Sequence, residues 1–276
     1  MRRDRRGYAA ELAAVIGRSL ARLVREPSHS RRAEAGRRWA RHALLISAVL
    51  AVAVVFLMVA IDAFEIGLMP PRGTPSLWPI KILTDFGKSA YVLWTLAGLL
   101  GLVALLLPLL DGVSRAVMIG IGTRLQFVFL AILVPVSAGE VLKGVIGRGR
   151  PFVGGAANPY NFSPLSWTEA YASLPSGHAI TAFALAFAVG ALFPRLRAVM
   201  LLYALVIALT RLVLLAHHPS DVVAGAMVGT IGAMAVRYWF AARRLAFTIR
   251  PDGTIEPLPG PSWDRLKKVA EGRPAP

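Results

Sequence analysis

No cysteine occurs anywhere in the 276 residues. Disulfides, thiol nucleophiles and Cys-ligated metals are thereby excluded, and the redox compartment cannot be read from cysteine usage. Charge is scarce as well: 17% of the residues are charged and 56% are hydrophobic. That is too apolar for an ordinary soluble domain and points to membrane-spanning helices. Acidic residues are the rarer charge, 15 Asp and Glu against 31 Lys and Arg, for a formal charge of +16. An excess of that size suits either nucleic acid or anionic lipid. Twelve of the arginines precede residue 42, beside the first long apolar run. This is the positive-inside arrangement of a membrane protein, so nucleic acid is not expected as a partner. An apolar core close to the first residue is also missing. The first apolar run starts after about forty residues and is long enough to span, so it reads as an uncleaved membrane helix and not a signal peptide.

What the chain does have is six apolar stretches, near 43–61, 89–110, 117–141, 179–193, 197–216 and 220–240. They predict an all-α polytopic membrane protein, a six-transmembrane-helix bundle over 42–244. A basic arm (1–41) precedes the bundle, and a polar, Pro-rich tail (245–276), expected to be partly unstructured, follows it. Pro108 and Pro135 are expected inside helices, kinking them. In the arm, Tyr8, Leu12, Val15, Ile16, Leu23 and Val24 recur near helical spacing, with Arg18, Arg22 and Arg25 between them. A helix lying on anionic lipid at the cytoplasmic surface fits this pattern, and an unstructured basic tail fits it equally.

Lys and Arg in the arm, around Arg115, at 195–197 and at Arg243 and Arg244 place both ends on the cytoplasmic side of a cell membrane. The linkers 62–88 and 142–178 and the turn at 217–219 then face outward. The middle linker has few charges and no periodicity. Its Trp167 and Tyr160, with Trp78, suit the headgroup level.

The polar residues that resist the membrane gather at the outward ends. Lys143, Arg148 and Arg150 follow the third apolar stretch, and Ser176, Gly177 and His178 open the fourth. Arg211 ends the fifth, and His217, His218 and Asp221 lead into the sixth. Ionisable groups at such depth are functional candidates, because burying them is costly. Several cations and histidines suit a multiply charged anion, above all a phosphate. In "LPSGHA", turn residues directly precede a helix, whose first N–H groups can point at the anion. Such a cradle needs neither metal nor cofactor.

These residues read K-x6-R-P (Lys143 to Pro151), P-S-G-H (Pro175 to His178) and T-R-x5-H-x3-D (Thr210 to Asp221). In order and spacing they closely resemble the three-part signature of the type 2 phosphatidic acid phosphatase superfamily. Thr210 stands where Ser is common and keeps the hydroxyl. The resemblance covers about 84–240. It implies metal-independent hydrolysis of a phosphate ester or diphosphate through a phosphohistidine. His217 would be the nucleophile, Asp221 would orient and polarise its ring, and His178 would be the general acid. Lys143, Arg150, Arg211, Ser176 and the Gly177 backbone would bind the phosphoryl oxygens. Phosphoryl transfer needs that division of labour: charge stabilisation around the phosphorus and an in-line nucleophile.

Blander roles exist for each residue. Lys143 can snorkel or pair with Glu140, Arg148 reads as a solvated or lipid-headgroup charge, and Asp221 can be a helix-start carboxylate. An anion transporter or non-catalytic phosphate binder would use the same cations, but no comparable set continues to the other side. A metal site from His178, His217, His218, Asp221 and Glu140 is disfavoured by the surrounding Lys and Arg. Vanadate-dependent haloperoxidases are similar at the site residues, but they are soluble, and six apolar spans argue for a lipid substrate. An amphiphilic phosphate would reach the outward site laterally. Polyprenyl diphosphate, phosphatidylglycerophosphate, phosphatidate and lipid A phosphates all qualify, with the polyprenyl carrier favoured on generality.

Of the adjacent histidines, unbroken helical geometry would align His218 with Arg211. Pro219 breaks that alignment: it disfavours helix at the preceding residue and favours the first position of a new helix. Asp221 then falls at the third helical position, from which an acidic side chain reaches back toward the residues before the helix, so contact with His217 is expected. The family spacing also selects His217 and leaves His218 as a cap or interface residue.

Overall fold

Each long apolar run becomes a helix, because backbone N–H and C=O groups in lipid must satisfy one another. The computed structural model describes residues 7–71, 73–155, 157–250, 252–260 and 267. Expectations for the first six residues of the arm and nearly all of 261–276 lie outside the described residues. The elements are α1 (Tyr8–Val24), α2 (His29–Ala60), α3 (Asp62–Leu68), α4 (Trp78–Asp85), α5 (Ser89–Leu106) and α6 (Gly112–Ile146). Then come α7 (Gly177–Leu192), α8 (Arg197–Val213) and α9 (Pro219–Ala242), followed by the antiparallel hairpin β1 (Phe247–Ile249) and β2 (Ile255–Pro257).

Five helical stretches are long and apolar enough to cross a membrane: His29–Ala60, Pro75–Leu109, Gly112–Ile146, Pro194–Val213 and Pro219–Ala242. The protein is a multi-pass, mainly α-helical membrane protein. The sixth expected span is α7, with 16 residues. At 1.5 Å per residue it reaches about 24 Å, short of an apolar layer of about 30 Å. Pro135 lies inside α6 as expected. Pro108 lies not within an α-helix but in the 3-10 turn, Leu107–Leu109, that ends α5.

Internal contacts divide the chain into two compact units: Met1–Arg37 with Trp94–Phe129 and Arg237–Pro276, and Arg38–Leu93 with Leu130–Val236. In the first unit the arm is a helix, α1, followed by Pro27 before α2 begins. The Tyr8 hydroxyl donates to the Leu105 carbonyl at 2.7 Å, and Gln126 Nε2 donates to Ser19 Oγ at 2.5 Å. Arg115 pairs with Glu11 at 2.5 Å, and Trp239 Nε1 donates to the Leu23 carbonyl at 3.0 Å. Of the two readings of the arm, the helix holds over these residues, tied down along one side.

The start of the tail, expected to be only partly unstructured, carries the hairpin. Asp252-Gly253 makes the turn of the hairpin, with Gly253 at φ 82° and Asp252 Oδ1 accepting from Thr254 N at 2.9 Å. Phe247, fully buried, packs its ring 4.7 Å from that of Phe127. An Asp-Gly pair between β-branched residues is a hairpin signal that composition alone hides.

The second unit carries the signature residues. Small side chains let α7, α8 and α9 approach closely: Ala179, Ala208 and Val222 form one buried cluster, and Ala182, Ala204 and Ile207 another. Gly225 and Gly229 on α9 receive the start of α7, as small residues four apart do in membrane helices. A Cβ on Gly225 would lie 2.5 Å from the Ser176 carbonyl, and one on Gly229 would strike the Ile180 carbonyl. Because the obstructing atoms are backbone, the helices would have to part. Gly225→Ala is therefore expected to destabilise the protein by about 1–3 kcal/mol, read as a lower Tm of the detergent-purified chain, and an unchanged Tm would contradict this close packing.

Candidate active site

The turn between α8 and α9 fixes both histidines. α8 ends at Val213 and α9 begins at Pro219, as proline chemistry predicts. Asp221 Oδ2 accepts the backbone N–H of His218 at 2.9 Å, the half of a capping box in which the third helical residue reaches back to the cap. His218 is buried at the cap, and neither of its ring nitrogens has a hydrogen-bond partner. The Ser176 N–H donates to the Asp221 carbonyl at 2.9 Å, which ties the start of α7 to the start of α9.

His217 is 3% exposed, and its Nδ1 lies 2.9 Å from the backbone carbonyl of Ser173. A carbonyl oxygen can only accept, so Nδ1 must carry the proton, and in the neutral ring Nε2 is left with a free lone pair. Asp221 does not bond the ring directly; its Oδ2 is 3.9 Å from Nδ1. It acts through Ser173, whose hydroxyl donates to Asp221 Oδ2 at 2.6 Å. The orientation that the resemblance assigns to Asp221 thus runs through a serine absent from the three-part signature.

Burial first, then the charges of Arg211, Arg150 and Lys143, hold the His217 imidazole well below its ordinary pKa of 6.5. These three cations, together with His178, lie within electrostatic reach of His217. Lys143 Nζ bonds Glu140 Oε1 at 2.6 Å, as its bland reading allowed, yet it also lies against Gly177, where a Cβ would come within 3.0 Å of Nζ. Arg150 donates from Nε to the Glu169 carbonyl at 3.1 Å, and its backbone N–H bonds the Ala170 carbonyl at 2.9 Å. Arg211 Nη1 donates to Thr84 Oγ1 at 2.8 Å, and the Thr210 and Thr84 hydroxyls are 2.9 Å apart.

Three buried polar atoms in this group have no protein partner: Ser176 Oγ, His178 Nε2 and Arg211 Nε. Buried polar groups are normally paired, so a set of unpaired polar atoms beside several cations is what a bound oxyanion would complete. The start of α7 adds unbonded first-turn N–H groups to the same set. Among the described residues, no cluster of three or more His, Cys, Asp or Glu is arranged to hold a metal.

Arg148 is the largest departure from the sequence reading, which made it a solvated or headgroup charge. It has no exposed surface. Asp62, on α3, is equally buried and pairs with it at 2.8 Å, and Thr84 was likewise unforeseen. The overlooked signal was an ionisable residue within "VAIDAFEIGL", where an apolar context makes an acid expensive unless it is paired.

A family model described as PAP2 superfamily matches residues 124–245. A lipid A 1-phosphatase of Rhizobium johnstonii is 33% identical over 175 residues, covering 63% of this chain and 71% of that protein. A lipid A 1-phosphatase of Rhizobium etli is 34% identical over 127 residues, covering 46% of this chain and 55% of that protein. No solved structure matches the chain.

The depressed pKa of His217 has a consequence for stability. As pH falls through 6.5, the unfolded chain takes up a proton that the folded ring refuses, so stability present above that pH is lost below it. The Tm is expected to drop between pH 7.5 and 5.5 and to drop less in His217→Gln; equal drops would contradict a buried, neutral ring.

Proposed function

The chain belongs to the PAP2 superfamily and is a phosphatase, and from that premise we propose that it hydrolyses a lipid phosphate through a phosphohistidine at His217. The observation that carries this reading is the bond from His217 Nδ1 to the Ser173 carbonyl, which leaves Nε2 as the free nucleophile. In the first step the Nε2 lone pair attacks phosphorus in line, the P–O ester bond breaks, and His178 gives its proton to the leaving oxygen. A phosphate dianion among the cations favours that protonated state. Lys143, Arg150, Arg211, Ser176 Oγ and the Gly177 N–H hold the equatorial oxygens. In the second step water attacks the phosphorus, His178 takes its proton, the N–P bond breaks and inorganic phosphate leaves.

The proposed substrate is an amphiphilic phosphate monoester. Similarity to two lipid A 1-phosphatases supports the 1-phosphate of lipid A ahead of the polyprenyl diphosphate that generality alone favoured. We read six crossings over 42–244, with α7 as the short fourth. Both termini are then cytoplasmic, the arm meets anionic lipid, and the site opens on the extracytoplasmic side of the inner membrane. The basic flanks support this orientation.

His217→Ala in purified protein is expected to lower phosphate release at least about a thousandfold without lowering the yield of folded protein; retained turnover would remove His217 as nucleophile. A panel of lipid A, polyprenyl diphosphate, phosphatidylglycerophosphate and phosphatidate should show the highest kcat/KM for lipid A. Turnover of a diphosphate alone would overturn that assignment.

A further inference from the structure

The hydrogen bonds behind His217 lead away from the signature to Asp62, which lies outside the 124–245 family match. Asp62 Oδ2 pairs with Arg148 Nη2 at 2.8 Å and accepts the Ser220 hydroxyl at 2.5 Å, while Oδ1 accepts the Ser220 backbone N–H at 3.0 Å. Arg148 Nη1 donates to Asp221 Oδ1 and to Ser220 Oγ, both at 2.6 Å. Its Nε and Nη2 also bond the Pro159 carbonyl, at 3.0 and 2.8 Å. The Arg148 carbonyl accepts the Ser173 N–H at 3.0 Å. Ser173 is therefore gripped from two sides, and its carbonyl in turn holds His217.

The charges suggest what Asp62 is for. With Arg148 as its only charged partner, Asp221 would be cancelled, leaving no net negative charge behind the nucleophile. Attack by Nε2 on phosphorus, with Nδ1 still protonated, makes the ring a phosphoimidazolium with one positive charge. Asp62 and Asp221 together exceed Arg148 by one negative charge, and none of the three side chains has exposed surface. The neighbouring acid, Glu65, is held back from ionising: burial first and the Asp62 charge next push its carboxyl up to about 7.

We propose that Asp62 is a positioning residue for phosphoryl transfer: by neutralising Arg148 it frees the charge of Asp221 to stabilise the phosphorylated His217 ring. This rests on the nucleophile assigned above. Asp62 touches none of the residues that hold the phosphate, so its effect belongs in kcat and not in binding.

The test compares wild type with Asp62→Asn, which preserves shape and removes the charge. Expected is a kcat about 10- to 100-fold lower, with KM and competitive inhibition by inorganic phosphate within threefold of wild type. A kcat within threefold of wild type overturns the proposal. So does a loss of kcat matched by an equal weakening of phosphate inhibition, which is what a merely structural role would give. A second variant, Asp62→Asn with Arg148→Gln, removes both charges and leaves Asp221 carrying one. It should recover kcat above that of Asp62→Asn alone, and a kcat no higher than the single variant's overturns the charge argument even if Asp62→Asn folds poorly. His217→Ala, assayed in parallel, separates the two claims. If it is inactive while Asp62→Asn behaves as wild type, only the Asp62 proposal fails; if it is active, the nucleophile assignment fails and the Asp62 proposal with it.

Discussion

Arg148 has no exposed surface, and all five of its guanidinium N–H groups are used, on Asp62, Ser220, Asp221 and the Pro159 carbonyl. A guanidinium cannot shed its proton to escape burial, so the fold must bring carboxylates to it. That requirement draws α3, the loop after α6 and the start of α9 to one point. Asp221 is thereby fixed at the head of α9, Ser173 is fixed against Asp221, and the Ser173 carbonyl sets the proton on His217 Nδ1. Breaking one partner of such a network typically costs about 3–5 kcal/mol, because a buried charge is left uncompensated. Its worth here is geometric, in giving the His217 ring one tautomer and one orientation.

In the proposed reaction two opposite electrostatic demands fall on the His217 ring. Burial, with the charges of Arg211, Arg150 and Lys143, keeps the resting imidazole neutral, and these cations would receive the phosphate dianion. The carboxylates of Asp221 and Asp62, in the same proposal, would accommodate the positive charge of a phosphorylated ring. The glycines of α9 make this arrangement possible, since only residues without a Cβ admit the start of α7 against the turn that bears both histidines. Packing and chemistry are thus coupled through backbone contacts that no charged side chain supplies.

Much of this was legible in the sequence, for identifiable reasons. The apolar runs mark the helices because lipid leaves the backbone few alternatives. Pro219 announces the break that separates His217 from His218, and Asp221 at the third position of α9 predicts its cap. Less legible were contacts that depend on distant parts of the chain. Arg148 sits two residues from Arg150 and looks like any loop arginine until Asp62 is found opposite it. Asp221 appears, by spacing, to bond His217 directly, and only the loop conformation shows Ser173 between them. α7 is foreseen in place and in its short length, but its start differs, at Gly177 and not 179. The hairpin at 247–257 was obscured by its polar, proline-rich composition.

The central claim is that the Ser173 carbonyl fixes the tautomer of His217 so that Nε2 carries the phosphoryl group. Its most direct test is to trap the phosphoenzyme by rapid quench with a labelled lipid phosphate and to locate the phosphate by mass spectrometry and phosphorus NMR. The account predicts an acid-labile phosphate on Nε2 of His217. Phosphate on Nδ1, on another residue, or turnover with no phosphoenzyme under conditions that should accumulate it, would contradict it.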